Sequence, residues 1–253
     1  MTDLSNKIVL ITGASSGIGL SCAKKFADKN AKLILIARRI ERLEKLVKEI
    51  KCDCHILQLD IRNHNDVSKV IDNLPPEWKN IDVLINNAGL GRGLDKLHEG
   101  NTTGWDEMID TNIKGLLYVS RAVIPLMVKN NRGHIINIGS IAGHEVYPGG
   151  NVYCATKHAV NALTKGMRLD LVDKNIRVST IDPGLVETEF SEVRFYGDKD
   201  KAKSVYKGYK PLNGDDIADT ALWIASRPEH VQIAEVIIFP TAQASAMVTH
   251  KNT

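Results

Sequence analysis

The stretch Lys7-Ile8-Val9-Leu10-Ile11-Thr12-Gly13-Ala14-Ser15-Ser16-Gly17-Ile18-Gly19 decides the fold of this chain. Its first half is a short apolar, β-branched run, which predicts a buried strand. Glycines follow at once, and apolar residues then recur at helical spacing up to Asp28, so the glycine turn stands at a helix N-terminus. Free backbone N–H groups and the positive end of the helix dipole at such a turn attract a pyrophosphate. We therefore predict a dinucleotide-binding turn made by Gly13, Ser15, Ser16, Gly17, Ile18 and Gly19.

The spacing of these glycines is G-x-x-x-G-x-G, which differs from the more common fingerprint G-x-G-x-x-G, and a tight structural turn is the alternative. The next predicted strand, Lys32 to Ala37, ends in Arg38 and Arg39. An acidic residue near this place takes the ribose 2′-hydroxyl in NAD-binding units, whereas arginine accommodates a 2′-phosphate. Two guanidiniums therefore favour NADP(H) over NAD(H) as cofactor. The alternative is that both arginines belong to the charged, solvated face of the following helix.

Size and composition indicate one domain spanning residues 1–253. The chain is 43% hydrophobic and 5% aromatic, which is enough to bury a large aliphatic core. Its 33 basic and 30 acidic residues are spread evenly, so the net charge of +3 favours no nucleic-acid partner. The N-terminus lacks the apolar centre of a signal peptide, and no apolar stretch reaches the roughly 18 residues that span a bilayer. We expect a cytoplasmic protein without a membrane partner, acting on a small molecule.

The cysteines indicate reduced thiols rather than a disulfide framework, since Cys22, Cys52, Cys54 and Cys154 are scattered. The run Cys52-Asp53-Cys54-His55 offers metal-ligand types. However, it leads into a predicted strand, and no second ligand pair follows at zinc spacing. We expect no metal site.

Strands and helices alternate along the rest of the chain. Further strands are predicted at 55–60, 81–85, 134–138, 176–181 and 235–239, and helices fill the intervals, for example 111–130, with Pro125 as a kink, and 152–174. Alternating βα units give a single-domain, Rossmann-type, doubly wound parallel sheet of about seven strands with helices on both faces. Such sheets bind ligands beyond the carboxyl ends of their strands, where the glycine turn, the two arginines and other polar residues of this chain fall.

Tyr153 and Lys157 stand four positions apart in a predicted helix, so they share one face. A positive charge beside a phenol stabilises the phenolate and lowers its pKa toward the range of a general acid/base. This pair indicates redox chemistry at a carbonyl, provided that a hydride source lies nearby. Tyrosine and lysine at this spacing also occur on ordinary exposed helices, which is the alternative.

Taken together, the motifs resemble the short-chain dehydrogenase/reductase family over nearly the whole chain. They stand in the family's order and at its usual separations: Thr12-Gly13-x-x-x-Gly17-Ile18-Gly19, Asn86-Asn87-Ala88-Gly89, Asn112, Ser140, Tyr153-x-x-x-Lys157 and Pro183-Gly184. The resemblance implies that Tyr153 is the acid/base and that Lys157 lowers its pKa and binds the nicotinamide ribose. It further implies that Ser140 hydrogen-bonds the substrate oxygen and that Asn112 holds a proton-relay water.

The resemblance also implies the remaining cofactor contacts. Asp60 and Ile61 would contact adenine, Asn87, Ala88 and Gly89 would line the ribose side, and Pro183, Gly184, Val186 and Thr188 would close over the nicotinamide and diphosphate. Each motif has a structural alternative: Ser140 could cap the turn after its strand, Asn112 could bond its own helix backbone, residues 86–89 could be only a turn, and Asp60 could be a helix cap.

The substrate side is less determined by the sequence. The segment from Val186 to Asn213 (residues 186–213) carries aromatic residues among many charges. This composition predicts a mobile substrate lid. Within the family the chain looks most like the NADP-dependent 3-hydroxy acid, or serine and allo-threonine, dehydrogenases, through residues 89–91, 147–153, 184–191, 193–195 and 239–243. Arg194 is the candidate to bind a substrate carboxylate, with a plain surface charge as the alternative. A broad carbonyl or secondary-alcohol reductase and a non-catalytic NADP(H)-binding sensor are the other functions considered.

The resemblance implies a homotetramer built by pairing the helices that contain Asn112 and Tyr153. The aliphatic residues Leu163, Met167 and Leu171 could serve such an interface, but we assign most of this stripe to the monomer core.

Overall fold

The computed structural model describes residues 2–251 as a parallel sheet wrapped by helices. The strands run in the spatial order β3-β2-β1-β4-β5-β6-β7, with every neighbouring pair parallel. Their bounds are β1 Ile8–Thr12, β2 Lys32–Ala37, β3 Cys54–Gln58, β4 Ile81–Asn86, β5 Gly133–Ile138, β6 Ile176–Pro183 and β7 Glu235–Ile238. The predicted doubly wound parallel sheet is confirmed, and each strand lies within two residues of its predicted bounds.

Helices fill the intervals between the strands. Their bounds are α1 Gly17–Ala27, α2 Ile40–Glu49, α3 His64–Asp72, α4 Thr102–Ile109, α5 Leu116–Lys129, α6 Asn151–Asp170, α7 Phe190–Arg194, α8 Lys199–Ser204 and α9 Gly214–Ala225. The helix predicted at 111–130 starts as a π-helix, Asp110–Gly115, and continues as α5, which contains Pro125. The helix predicted at 152–174 ends earlier, at the end of α6, and a 3₁₀ turn follows at Val172–Lys174.

The side chains of β1 show why both faces of the sheet are covered. Successive strand side chains point to opposite faces. Val9 and Ile11 pack in one core cluster with Phe26 of α1, whereas Ile8 and Leu10 pack in a second cluster with α5 residues. A strand that is buried on both sides reads as an unbroken apolar run, and this is the pattern that identified it in the sequence.

The second cluster also settles the aliphatic stripe of α6. Leu171 is buried in it and Met167 packs against it, while Leu163 is half-buried, so most of the stripe belongs to the monomer core as predicted.

Within the described residues, no helix combines the length and apolar character needed to cross a membrane.

The strand order places a switch point between β1 and β4. From β1 the chain moves to one side for β2 and β3, and then crosses back for β4 to β7. In open α/β sheets the crevice at the carboxyl ends of such a strand pair is the usual ligand site. Gly13 follows β1 and Asn87 follows β4, so the two motifs meet there.

Candidate active site

The glycine turn is fastened to the loop after β4. Gly13 and Gly17 have left-handed φ values of +67° and +54°, which side-chain-bearing residues rarely adopt. The Thr12 hydroxyl accepts hydrogen bonds from the backbone N–H groups of Asn87 and Ala88, both at 3.0 Å, and the Asn87 amide donates to the Thr12 carbonyl at 2.8 Å. Residues 86–89 are therefore more than a turn, because they fix the shape of the glycine loop.

Arg39 connects the second strand to this loop. Its Nη2 donates to the hydroxyls of Ser15 at 3.3 Å and Ser16 at 3.0 Å, so the N-cap hydroxyl of α1 faces the arginine rather than the helix backbone. Its Nη1 pairs with Glu189 at 3.1 Å. Arg38 is exposed and its carbonyl accepts a hydrogen bond from Gln58. A guanidinium beside the glycine loop fits a cofactor that carries a 2′-phosphate.

A cleft of about 530 Å³ runs from the glycine loop to Tyr153. Its walls include nearly all the predicted cofactor residues, together with Ser140, Tyr153, Lys157 and Arg194. Two predicted site residues stay outside these walls, Gly19 and Asn112. Gly19 packs directly on the Asn87 amide and the Gly13 carbonyl, so it has room for no side chain and acts on the loop rather than on a ligand. The size of the cleft suits a small-molecule site.

The predicted adenine end is built by a local turn. Asp60 accepts from the guanidinium of Arg62, at 3.0 Å from Nε and 2.6 Å from Nη2, and from its backbone N–H at 3.1 Å. The N-cap of α3 is Asn63, so the alternative that Asp60 caps this helix is wrong. Ile61 is buried beside Gly115, where an added Cβ would lie 2.6 Å from its Cδ1 atom.

Tyr153 lies in the first turn of α6 with two cations at its ring. The Arg194 guanidinium carbon is 4.7 Å and the Lys157 Nζ is 5.9 Å from the ring centre. Burial nevertheless raises the pKa of Tyr153, against the charge of Arg194 and a hydrogen bond from Ser140, which lower it. The prediction of a lowered tyrosine pKa is therefore wrong, and the charge that opposes burial belongs to Arg194. The reason is that desolvation outweighs a cation stacked on the ring face.

Lys157 is buried one turn further along α6. Its Nζ donates to the Ile138 carbonyl at 2.9 Å, at the end of β5. Burial lowers the pKa of Lys157 from 10.5 to about 8, and the negative charge of Asp182 opposes this shift. The lysine is thus positioned by the sheet, and it is only partly charged just above neutral pH.

Asp182 is a site residue that the sequence reading missed. It is fully buried in β6, where Oδ1 accepts from the Ser140 N–H and the Thr180 hydroxyl, both at 3.1 Å. Its Oδ2 lies 3.2 Å from His144 Nε2. Burial raises the pKa of Asp182, although His144, Thr180 and the Ser140 N–H counteract it. The available signal was a single acid in an apolar strand directly before Pro183-Gly184.

Ser140 combines a structural and a chemical position. Its hydroxyl accepts from the Ala142 N–H at 3.1 Å and caps the 3₁₀ turn Ile141–Gly143, so the capping alternative holds. The same hydroxyl also interacts with the Tyr153 side chain and lowers the pKa of that phenol. Both roles are compatible, because a hydroxyl carries one donor and two acceptor positions.

Asn112 lies in the π-helix and is buried. Its Oδ1 accepts from the Leu90 N–H and its Nδ2 donates to the Leu90 carbonyl, both at 2.9 Å, and Nδ2 also contacts the Thr156 hydroxyl at 3.0 Å. The alternative that Asn112 bonds its own helix backbone is wrong. Asn112 instead joins the loop after β4 to α6, and π-turns of this kind are frequent at functional sites.

Arg194, in α7, forms part of the cleft wall and is not a surface charge. Its guanidinium stacks on Tyr153 and on Phe190, at 4.9 Å from the latter ring centre, and Nη2 donates to the Tyr147 hydroxyl at 3.1 Å. Burial raises the pKa of Tyr147 to about 12. The Arg194 Nε packs against Gly91, where an added Cβ would lie 2.8 Å away, so the loop after β4 fixes the position of this guanidinium.

The side chains of the run Cys52-Asp53-Cys54-His55 make contacts with neighbouring protein groups. Cys54 Sγ donates to the Cys52 carbonyl at 3.4 Å, and the His55 ring stacks on Trp78 at 5.6 Å. All the cysteines are free thiols. In residues 2–251, the ligand types that do cluster within 4.8 Å of one another are His144, Asp182 and Glu235. His144 Nε2 lies between the two carboxylates, 3.5 Å from Glu235, and is also 3.1 Å from the amide of Asn161.

Comparisons with known proteins agree with this geometry. The chain is 47% identical over 251 residues to the NADP-dependent 3-hydroxy acid dehydrogenase of Schizosaccharomyces pombe, covering 97% of each protein. It is 45% identical over 240 residues to the NADP-dependent 3-hydroxy acid dehydrogenase YdfG of Escherichia coli K12, covering 94% of this chain and 97% of the relative. The closed form of serine dehydrogenase complexed with NADP+ superposes with a TM-score of 0.93 at 44% identity, covering 97% of this chain and 100% of the other.

The family profile of short chain dehydrogenases matches residues 7–197. The match begins at β1 and includes the glycine loop, the asparagine loop after β4, Ser140 and the Tyr153 and Lys157 pair. Because these motifs meet in one cleft of a sheet with the order expected of the family, the chain belongs to the short-chain dehydrogenases.

Proposed function

We propose that this protein is an NADP(H)-dependent dehydrogenase that interconverts the hydroxyl and carbonyl groups of short 3-hydroxy acids, of the serine, allo-threonine or 3-hydroxypropionate type. Its full-length relatives carry this activity in their names, and a serine dehydrogenase with NADP+ superposes on nearly the whole chain. The observation that carries the acid specificity is the position of Arg194 against the ring of Tyr153.

The cofactor fits the residues that line the cleft. Gly13, Ser15, Ser16, Gly17 and Ile18 would hold the diphosphate, Arg39 with Arg38 the 2′-phosphate, and the loop after β4 the ribose. The arginine contacts with the two serine hydroxyls place a cation directly beside the glycine loop, and this supports NADP(H) over NAD(H). When bound, the nicotinamide supplies or accepts the hydride.

The protein's own groups handle the proton. In reduction, Tyr153 donates its proton to the oxygen of the developing alcohol, and Ser140 hydrogen-bonds the same oxygen. The raised pKa of Tyr153 keeps the phenol protonated at neutral pH, as a donor requires. Lys157 would hold the nicotinamide ribose, and Asn112 would position the loop after β4 and a relay water.

Arg194 distinguishes a hydroxy acid from an apolar alcohol. Its guanidinium lies in the cleft wall and stacks on Tyr153, which puts a positive charge next to the proton donor, where the carboxylate of a short substrate would lie. An apolar alcohol could not pair with this charge. Hydrogen bonds to charged groups contribute about 1.5–3 kcal/mol, so the pairing is worth roughly 10- to 150-fold in kcat/KM.

The test compares L-serine, L-allo-threonine, 3-hydroxyisobutyrate and an apolar secondary alcohol as substrates with NADP. We expect turnover of the acids, and a lower kcat/KM for methyl 3-hydroxyisobutyrate, which lacks the charge. Arg194→Met should remove the preference for the acid over its methyl ester. If the apolar alcohol is the better substrate, a broad alcohol or carbonyl reductase is the correct function, and an unchanged acid preference in Arg194→Met removes this role from the arginine.

Residues 186–213, which contain α7 and α8 and place Arg194 and Phe190 in the cleft wall, act as a substrate lid. The protein works as a homotetramer in the cytoplasm. Leu169 and Val172, 77% and 76% exposed near the end of α6, are two apolar side chains that such a helix pairing could cover. Analytical ultracentrifugation of the purified protein tests the assembly, and a monomeric mass would contradict it.

A further inference from the structure

Cys52 and Cys54 form a close pair of thiols where the chain enters β3. Their Sγ atoms are 3.6 Å apart, within hydrogen-bonding distance for sulfur, and Cys54 Sγ also lies 3.4 Å from the Cys52 carbonyl oxygen. The chain bends at Cys52, and Cys54 is the first residue of β3, so the two side chains meet although one residue separates them. Both are free thiols.

The contact makes the two sulfurs chemically unequal. Hydrogen bonding to the Cys54 thiol lowers the pKa of Cys52, against burial and the charge of Asp53, which raise it. The same contact, together with burial, raises the pKa of Cys54. The thiolate is the nucleophilic form of cysteine. Cys52 is therefore the sulfur suited to attack an oxidant, and Cys54 is the protonated partner beside it.

The pair is reachable from solvent, unlike the other two cysteines. Cys52 and Cys54 are each partly exposed, whereas Cys22 and Cys154 are 0% and 1% exposed. Burial raises the pKa of Cys22 to about 12 and also raises the pKa of Cys154. Redox-active cysteines are accessible, have a lowered pKa and stand next to a second cysteine. Of the four cysteines, all within residues 2–251, the pair at β3 meets these conditions.

We propose that Cys52 and Cys54 are a dithiol site that reduces hydrogen peroxide and is itself oxidised to a reversible disulfide. First, the Cys52 thiolate attacks a peroxide oxygen: an S–O bond forms, the O–O bond breaks, and the leaving hydroxide takes up the proton that Cys52 released. Second, the Cys54 sulfur attacks the Cys52 sulfenic acid: the S–S bond forms, the S–O bond breaks, and the Cys54 proton leaves with the hydroxyl as water. The two sulfurs lose two electrons, and the peroxide becomes two molecules of water.

The local structure supports a disulfide that forms and is reduced again. The sulfurs have to close from 3.6 Å to a bond of about 2.05 Å, so each moves by less than about 1 Å. Asp53 between them is held to β2, because its carbonyl accepts from the Leu33 N–H at 2.9 Å and its carboxylate pairs with Lys32 at 3.1 Å. A disulfide across so short a loop adds little stability and stays open to reduction.

The site is separate from the cofactor cleft. The pair stands at the amino end of β3, whereas the cleft lies at the carboxyl ends of the strands, and neither cysteine belongs to its walls. Cys54 and Gln58, at opposite ends of β3, are about 13 Å apart along the strand. The disulfide should therefore leave turnover unchanged, and the inference does not depend on the substrate proposed above.

Peptide mass spectrometry of the full-length protein tests the site. The reduced protein is treated with equimolar hydrogen peroxide, the remaining thiols are blocked with N-ethylmaleimide, and the chain is digested with trypsin. Both cysteines fall in one tryptic peptide, 52–62, apart from Cys22 and Cys154. We expect this peptide to become two hydrogens lighter, to escape labelling and to regain both thiols with dithiothreitol, while Cys22 and Cys154 stay reduced as internal controls. Oxidation of peptide 52–62 no faster than that of the control peptides, or a disulfide between two chains, would overturn the site.

Two serine variants separate the roles of the sulfurs. Cys54→Ser should stop at the Cys52 sulfenic acid, which dimedone traps and excess peroxide carries on to the sulfinic acid. Cys52→Ser should react with peroxide about 10-fold more slowly than Cys54→Ser, because Cys54 stays protonated. Equal rates in the two variants would remove the attacking role from Cys52, and a loss of turnover in the disulfide form of the wild type would contradict the separation from the cleft.

Discussion

Replacement of the buried Lys157 by methionine should abolish activity and yet stabilise the cofactor-free protein. Burial lowers the pKa of Lys157 from 10.5 to about 8. At 1.36 kcal/mol per pKa unit, this shift means that the charged lysine costs the folded state about 3 kcal/mol. A methionine side chain would fill a similar volume without a charge. The interaction with Asp182 is already contained in this shift, and the variant also loses the bond to the Ile138 carbonyl, worth about 1 kcal/mol, so the expected net gain at pH 7 is about 2 kcal/mol.

The gain depends on pH in a defined direction. The folded state releases the Lys157 proton near pH 8 and the unfolded state near pH 10.5, so between these values the unfolded state binds more protons and the wild type gains stability as pH rises. Below about pH 8 the penalty is present in full. The advantage of Lys157→Met should therefore be largest at pH 7 and should shrink toward pH 10.

Urea denaturation of both proteins at pH 7 and pH 9.5, followed by tryptophan fluorescence at one protein concentration, measures this difference. Lys165→Met is the control, since it removes an exposed lysine from the same helix. A Lys157→Met protein that is less stable than the wild type at pH 7, or an advantage of equal size at both pH values, would refute the reasoning.

Two further predictions concern other buried groups. Tyr153→Phe should abolish turnover and leave the dissociation constant of NADPH within about twofold, because the ring packing stays and only the proton donor is lost. Steady-state assays measure turnover, and fluorescence titration measures the dissociation constant. Turnover that survives in the variant would remove the acid/base role from Tyr153. Burial lowers the pKa of His134 to about 3, and its Nε2 contacts the Ser179 hydroxyl at 2.8 Å. The folded state then binds fewer protons than the unfolded state below about pH 6.5, so this group should cost about 2 kcal/mol of stability between pH 6.5 and pH 5. His134→Gln should flatten the loss of stability over that range in urea titrations, and an equally steep loss in the variant would exclude His134 as its cause.

The fold was predictable because strands such as β1 and β2 are nearly unbroken apolar runs followed directly by a glycine or an arginine. β1 and β2 illustrate this, since their side chains fill core clusters on both faces of the sheet. The π-helix at Asp110–Gly115 was not predictable, because one turn of altered hydrogen bonding leaves the apolar spacing nearly unchanged. Helix ends are also hard to place from apolar spacing, because the last turn often continues as a 3₁₀ turn. The predicted end of α6 was therefore placed too late.

The site was predictable where a motif sits at a strand end and unpredictable where its chemistry depends on distant residues. Tyr153 and Lys157 were found from their spacing. The direction of the Tyr153 pKa shift was not, because it is set by burial and only opposed by Arg194, which comes from the lid. The same holds for Glu189: nothing in its local sequence indicates that it meets Arg39, since the contact crosses most of the chain.

The buried charges also explain why this cleft can be assigned a function on physical grounds. Lys157 packs against the carboxyl end of β5 and Asp182 lies at that of the neighbouring β6, each with a pKa shifted toward its neutral form by burial. Apolar side chains of similar volume in such positions often make a protein more stable, so stability alone does not account for charged ones. What the charges do provide is a fixed cation near Tyr153 and a fixed acceptor for the Ser140 backbone. The burial of these charges lowers stability and serves proton transfer. Lys157→Met should gain stability and lose activity, so this variant separates the requirement for stability from the requirement for catalysis.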